Sequence, residues 1–276
     1  MEFWNHIYEQ FDPVAFDLFG LKVHWYGIMY VLALVSALFM AKWIVTKDKL
    51  DIDKTVLDDY FIWIEVGVIL GARLGYILFY DPDTIYYLTH PWQIFNPFNV
   101  NGDFVGIRGM SYHGALIGFL LGSYLFARKN KYSFWFLMDI VAIAVPVGYI
   151  FGRIGNFLNQ ELIGRTTDVS WGIYVDGILR HPSQLYEAFL EGVVVAIIIY
   201  MIRKRVDFAG GLTLAYGALY GLARFIAEFW RAPDTQIGYI YGDWMTQGQL
   251  LSLPMIIISL AGLYYLSKMR FSRKLS

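Results

Sequence analysis

Seven times along this chain, apolar side chains run far enough to bear on a membrane: over about 24–44, 60–80, 113–128, 134–152, 186–202, 211–230 and 249–267, the third and fifth runs being short. A helix needs about 20 predominantly apolar residues to cross a bilayer core of about 30 Å. No other feature restricts the fold so tightly. Inside lipid every backbone polar group must find its partner within the protein, which leaves helices and closed barrels as the spanning structures. These runs are continuous rather than alternating, so they predict helices. Composition agrees: 57% of the 276 residues are hydrophobic and 16% charged, against about 25% charged in a typical soluble domain. Pro254 falls inside the last run, where neighbouring helices can satisfy the freed carbonyl. The expected fold is an all-α polytopic membrane protein of about seven transmembrane helices, forming one integral membrane domain over 1–276 with a small outward cap of loops and short strands.

Charge sets the expected orientation. Lys42, Lys47, Lys49, Lys54, Arg128, Lys129, Lys131, Arg203, Lys204, Arg205, Lys268, Arg270, Arg273 and Lys274 fall on one side of the spans. Lys22, Arg108, Arg153, Arg165, Arg180 and Arg231 fall on the other, and Arg73 and Arg224 lie within spans. Fourteen against six predicts an outward N-terminus and a cytoplasmic C-terminus, because basic loops stay inside. The start is acidic, with Glu2, Glu9, Asp12 and Asp17 before the first apolar run. A secretory signal has a basic start, so that run is expected to be a retained membrane helix.

Two outer connections are long. An arm over about 81–112 carries Tyr86, Tyr87, Trp92, Phe95 and Phe98 among Pro91 and Pro97, which suits the headgroup layer where amphipathic rings settle. A small head over about 153–185 contains Val169–Val175 followed by Asp176-Gly177, a short strand and turn.

The remaining composition excludes several functions. A net charge of −1 gives no basic surface for nucleic acid. The chain has no cysteine, which removes disulfides, thiolate metal sites and an enzyme-borne thiol nucleophile. The histidines lack the HExxH spacing of a zinc site, and neither metal nor cofactor is expected.

Chemistry collects at the outer side. His6, His24, His90, His113 and His181 all map there. Arg73 and Arg224 sit about seven and six residues short of the outer ends of their spans, on the order of 10 Å below the surface at about 1.5 Å per residue. An intramembrane arginine is a functional-site hypothesis by default. The structural alternatives are a pairing of Arg73 with Glu65 and of Arg224 with Glu228. Glu187 and Glu191 share a helix face and offer to hold a neighbour's cation, and Asp139 offers a helix–helix hydrogen bond. The densest polar segment, Gly152–Arg165, puts Arg153, Asn156, Asn159 and Glu161 beside Gly152, Gly155 and Gly164. Its natural ligand is an anionic headgroup with hydroxyls, since arginine forks onto phosphate oxygens.

That segment resembles the signature of prolipoprotein diacylglyceryl transferases. Four further stretches are similar to the family in the same order: His24-Trp25-Tyr26-Gly27-Ile28-Met29-Tyr30; Gly109-Met110-Ser111-Tyr112-His113-Gly114; His181-Pro182-Ser183-Gln184-Leu185-Tyr186-Glu187; and Tyr220-Gly221-Leu222-Ala223-Arg224-Phe225 with Glu228 and Arg231-Ala232-Pro233-Asp234. The resemblance implies transfer of the diacylglyceryl group of phosphatidylglycerol, a membrane lipid, onto the lipobox cysteine that follows a prolipoprotein signal peptide. A thioether forms and glycerol phosphate leaves. It further implies Arg153 and Arg224 on the phosphate and its developing charge, and His113 as base, with His24 and His181 as rivals. Tyr26, Asn156 and Glu161 would orient the headgroup, with Arg73 as a second phosphate contact; Asn159, Gly164, Tyr220, Glu228 and Arg231 complete the implied substrate site. A transporter or a lipid-binding scaffold with an outward anionic-headgroup site is the alternative. A transporter would show broken helices at the midplane and inverted repeats, and a scaffold would not need arginine, histidine and amide groups to converge.

Overall fold

The computed structural model describes residues 1–18, 20–99, 101–104, 106–234 and 236–269; Arg270, Arg273 and Lys274 of the basic tail lie outside the described residues. In chain order the elements are α1 (Glu2–Asn5), β1 (Val14–Leu18), β2 (Leu21–His24), α2 (Trp25–Asp48), α3 (Lys54–Phe79), α4 (Thr84–Thr89), α5 (Tyr112–Asn130), α6 (Phe134–Leu158), β3 (Ile173–Val175), β4 (Ile178–Arg180), α7 (Ser183–Glu187), α8 (Val195–Ile202), α9 (Gly211–Ala227) and α10 (Gln247–Met269). A π-helical stretch, Ala188–Val194, joins α7 to α8.

A helix stands over each of the seven expected spans, and the fold is mostly helical with two small antiparallel sheets. Five helices among the described residues are long and apolar enough to cross a membrane: Trp25–Asp48, Lys54–Phe79, Phe134–Leu158, Ser183–Ile202 and Gln247–Lys268. Gly211–Ala227 is apolar but shorter. In α5 the apolar run is opened by His113 and closed by Arg128 and Lys129. The fourth span is longer than expected, so Arg153 lies inside α6 rather than at its end.

The described residues form two compact units, one of residues 1–50 with residues 138–269, the other Asp51–Leu137. The first has its core on α2, α6, α8 and α9, where Ile44, Ile143, Val195, Ile199 and Leu212 are buried together. Asp139 of α6 caps α9: its carboxylate accepts from the backbone of Gly210 at 3.0 Å and of Thr213 at 2.8 Å, and from the Thr213 hydroxyl at 2.9 Å. This is the helix–helix bond expected of it, made at a helix N-terminus where donors are otherwise orphaned. The N-terminal segment, unassigned in the sequence reading, packs against the head: Tyr8, Phe157 and Ile173 are buried together. Asp176 and Gly177 both have positive φ, 50° and 73°, the left-handed pair that a two-residue hairpin between β3 and β4 requires.

In the second unit α3 packs on α5. Gly67, Gly71 and Gly75 meet Gly114, Gly118 and Gly122, and a Cβ built on Gly75 would stand 2.7 Å from Cα of Gly114. Such backbone approach is how helices associate in lipid, where no hydrophobic effect drives them together. Tyr60 and Ser123, both buried, share a hydroxyl–hydroxyl bond of 2.9 Å.

Candidate active site

In the first unit, α6, α7 with its π-helical extension, and α9 with the turn that follows it bring three arginines against three glutamates. Arg153 Nε lies 2.9 Å from Glu187 Oε2. Arg224 Nη1 lies 3.3 Å from the same oxygen and 3.5 Å from Glu191 Oε1. Arg224 also pairs with Glu228 one turn on. Arg231 Nη1 is 3.8 Å from Glu187 Oε1, and its Nε is 3.9 Å from Glu228 Oε1. Glu187 and Glu191 have no exposed surface, and carboxylates this deep need counter-charges. Both expectations for this region hold together: Arg224 pairs with Glu228, and Glu187 and Glu191 hold cations of neighbouring helices. Arg153 and Arg224 keep 14% of their side chains exposed, whereas the two glutamates between them keep none.

Aromatic and amide groups frame these charges. Arg153 Nε donates to the Tyr149 hydroxyl at 2.7 Å, and that hydroxyl donates to Glu191. Tyr220 stands edge-on to Tyr149 with ring centroids 5.6 Å apart. Arg153 Nη1 donates to Asn156 Oδ1 at 3.3 Å, and Asn156 Nδ2 donates to Glu161 Oε1 at 2.7 Å. A continuous polar chain thus runs from Glu191 through Tyr149, Arg153 and Asn156 to Glu161. A side chain on Gly155 would meet Tyr26 and Met29 of α2; glycine there lets the Tyr26 ring lie against α6. Asn159 follows the last turn of α6, its N–H on Gly155 O at 2.9 Å.

Beyond α6 the chain is pinned on both sides. Arg165 N donates to Trp230 O and accepts through its own carbonyl from His181 N. A side chain on Gly164 would strike the His181 carbonyl, which explains glycine at that point of close approach. The Arg165 guanidinium donates to the carbonyls of Arg231 at 2.9 Å, Glu228 at 3.1 Å and Trp244 at 3.2 Å, and so fixes the end of α9 where Glu228 and Arg231 project. Thr246 donates its hydroxyl proton to Glu228 Oε2 at 2.6 Å. His181 is 3.3 Å from the Tyr186 hydroxyl, and burial holds its imidazole below the ordinary histidine value. His24 is exposed and opens α2.

Two expected residues belong to the second unit. Arg73 is buried, and its guanidinium donates to the carbonyls of Ile94 at 2.5 Å, Arg108, and Gly109 at 3.3 Å. Its Cζ lies 5.2 Å from the centroid of the Tyr87 ring. These contacts tie it to the arm. His113 is exposed in the first turn of α5, with Nδ1 3.2 Å from the Tyr80 hydroxyl. Of the residues in the charged cluster, Tyr149 was not foreseen: a tyrosine in an apolar helix carries no signal until Arg153 and Glu191 are seen on either side of it. Arg165 was read only as an outer positive charge.

The prolipoprotein diacylglyceryl transferase family model matches residues 13–265. The phosphatidylglycerol–prolipoprotein diacylglyceryl transferase of Wolinella succinogenes is 68% identical over 265 residues, covering 96% of this chain and 97% of the relative. The protein of the same name from Campylobacter lari is 63% identical over 271 residues, covering 98% and 99%. That of Aliarcobacter butzleri is 62% identical over 258 residues, covering 94% of each.

Proposed function

We propose, because the chain belongs to the prolipoprotein diacylglyceryl transferase family, that it moves the diacylglyceryl group of phosphatidylglycerol onto the lipobox cysteine of an exported prolipoprotein. The thiolate attacks the glyceryl carbon that carries the phosphate ester. The carbon–sulfur bond forms as the carbon–oxygen bond breaks, and glycerol phosphate leaves with the bond's electron pair. The thiol proton passes to a base, for which His113 is our candidate and His24 and His181 the rivals. A thiol has a pKa of about 8.5, and an imidazole is a suitable acceptor near neutral pH.

The observation that supports the reading most is the arginine cluster of α6 and α9. The lipid phosphate is a diester with one negative charge; the departing monoester gains a second. Fixed guanidiniums stabilise charge that develops in this way without reorganising at the moment of reaction. In our reading Arg153, Arg224 and Arg231 receive the phosphate, while Glu187, Glu191 and Glu228 hold their orientation and balance their charge when lipid is away. Tyr26, Asn156, Asn159, Glu161, Gly164 and Tyr220 shape the headgroup site. Arg73 supports the arm and is offered as a second phosphate contact. The reading takes the helices over all seven apolar runs as membrane crossings, with the N-terminus outside and the chemistry toward the outer face of the bacterial inner membrane.

The test is transfer by the purified protein in vesicles of defined lipid. Phosphatidylglycerol vesicles and a lipobox-cysteine peptide should give a diacylglyceryl thioether and one glycerol phosphate per thioether. Equal transfer from phosphatidylethanolamine vesicles, or thioether without glycerol phosphate, would sink the proposal.

A further inference from the structure

Glu161 is displayed by an unusual turn. Helix α6 ends with the Gln160 N–H on Phe157 O at 3.1 Å and the Glu161 N–H on Asn156 O at 3.1 Å. That is the paired bonding of a Schellman close, in which the residue at Gln160's position is left-handed and usually glycine. Gln160 has φ 56°. Its side chain stays occupied by donating to the carbonyls of Tyr8 at 3.1 Å and Phe11 at 3.2 Å. Helix closure does not account for Leu162, which also has φ 56°. Leucine meets steric resistance there that glycine does not.

The carbonyls on either side of the left-handed Leu162 backbone are both held from one place. Gln184 Nε2 donates to Glu161 O at 2.5 Å, and Ser183 Oγ donates to Leu162 O at 3.1 Å. Gln184 and Ser183 have no exposed surface. The Gln184 amide oxygen has no hydrogen-bond partner among the described residues, a loss a buried polar group rarely carries. Gln184 Nε2 also stands 3.3 Å from the Tyr8 hydroxyl. The one strong bond this amide makes is therefore to the turn. Strained backbone persists only where its surroundings over-determine it, and here the surroundings are the first two residues of α7, the helix that ends in Glu187.

We propose that Gln184, assisted by Ser183, is a positioning residue: the pair clamps the left-handed backbone at Leu162 and so aims the Glu161 carboxylate at Asn156, beside Arg153. The proposal rests on the reading of Asn156 and Glu161 as headgroup contacts. Because Ser183 and Gln184 begin the helix that supplies Glu187, one element sets both the carboxylate between the arginines and the carboxylate beyond them.

Gln184→Met keeps the volume and removes the donor. It should lower kcat/KM for phosphatidylglycerol about tenfold, the scale of one left-handed penalty no longer held. Adding Leu162→Gly, which makes that backbone permissible without a clamp, should bring the rate back to within about threefold of the unaltered protein. A merely structural loss would not be rescued, since the second change only removes more side chain. The experiment uses the full chain in phosphatidylglycerol vesicles with a lipobox-cysteine peptide. Normal activity of Gln184→Met, or a double variant no faster than Gln184→Met, would overturn the clamp. If Gln184→Met does not fold, Ser183→Ala takes its place with the same rescue and the same reading of outcomes. Glu161→Gln is measured alongside: normal turnover there defeats the underlying reading of Glu161 rather than the clamp.

Discussion

Glu187 Oε2 is shared by Arg153 and Arg224, and its other oxygen faces Arg231. A point charge in place of either guanidinium could reach that carboxylate but could not present a planar fork to a phosphate at the same time. Arg153→Lys and Arg224→Lys should therefore fold and still lose about 10²–10³ in rate, or about 2–4 kcal/mol of transition-state stabilisation. Initial rates of thioether formation, with folding checked by thermal unfolding in detergent, decide it; near-normal transfer by either variant removes that arginine from the phosphate site. His113 carries a different prediction. His113→Gln keeps a hydrogen-bonding group but cannot take the thiol proton. Its rate should fall at neutral pH and recover in part as pH rises toward the thiol's own value of about 8.5, where the substrate ionises unaided. A rate that is low at every pH with unchanged lipid binding would give His113 another role. Full activity would move the search to His24 and His181.

At the scale of elements, the relation between Arg153 and Arg224 depends on how α6 and α9 are held. Asp139 fixes it at the end of α6 remote from Arg153, by binding the first donors of α9. Asp139→Ala leaves those buried donors without the carboxylate. It should cost about 1–3 kcal/mol and lower the unfolding midpoint in detergent, and transfer should weaken with it. Unchanged stability would show that the cap contributes nothing to the packing of the two helices. The joint of α7 and α8 is also informative. Its π-helical stretch begins directly after Glu187 and contains Glu191, and π-bulges inside helices are frequent at functional sites. Both glutamates, one just before this stretch and one within it, reach one cluster, Glu187 through Arg153 and Glu191 through Tyr149.

For the whole molecule the exposed prediction is orientation. The excess of lysine and arginine on alternate connections supports a cytoplasmic C-terminus. A reporter that works only in the cytoplasm, fused after Ser276, should be active. An inactive cytoplasmic reporter together with an active periplasmic one would put the arginine cluster on the wrong face for an exported substrate.

Much of this was legible without coordinates because it is local. Helices in lipid are dictated by the length of continuous apolar runs, since apart from a closed barrel no other backbone arrangement satisfies its own polar groups there. Gly152–Arg165 announced itself because Arg153, Asn156 and Glu161 fall within one turn of helix and its close, so their meeting needs no long-range contact. The Asp176-Gly177 hairpin was readable for the same reason. What tertiary structure decided is the partner of each buried charge. Arg153, Glu187 and Arg224 come from three helices far apart in sequence, and no periodicity states which cation a carboxylate will face. It also decided that the Arg73 guanidinium holds the carbonyls of its own arm, and that Gln184 reaches the turn at Glu161. A side chain's type fixes what it can donate or accept; only packing fixes which of many equivalent acceptors lies within 3 Å of it.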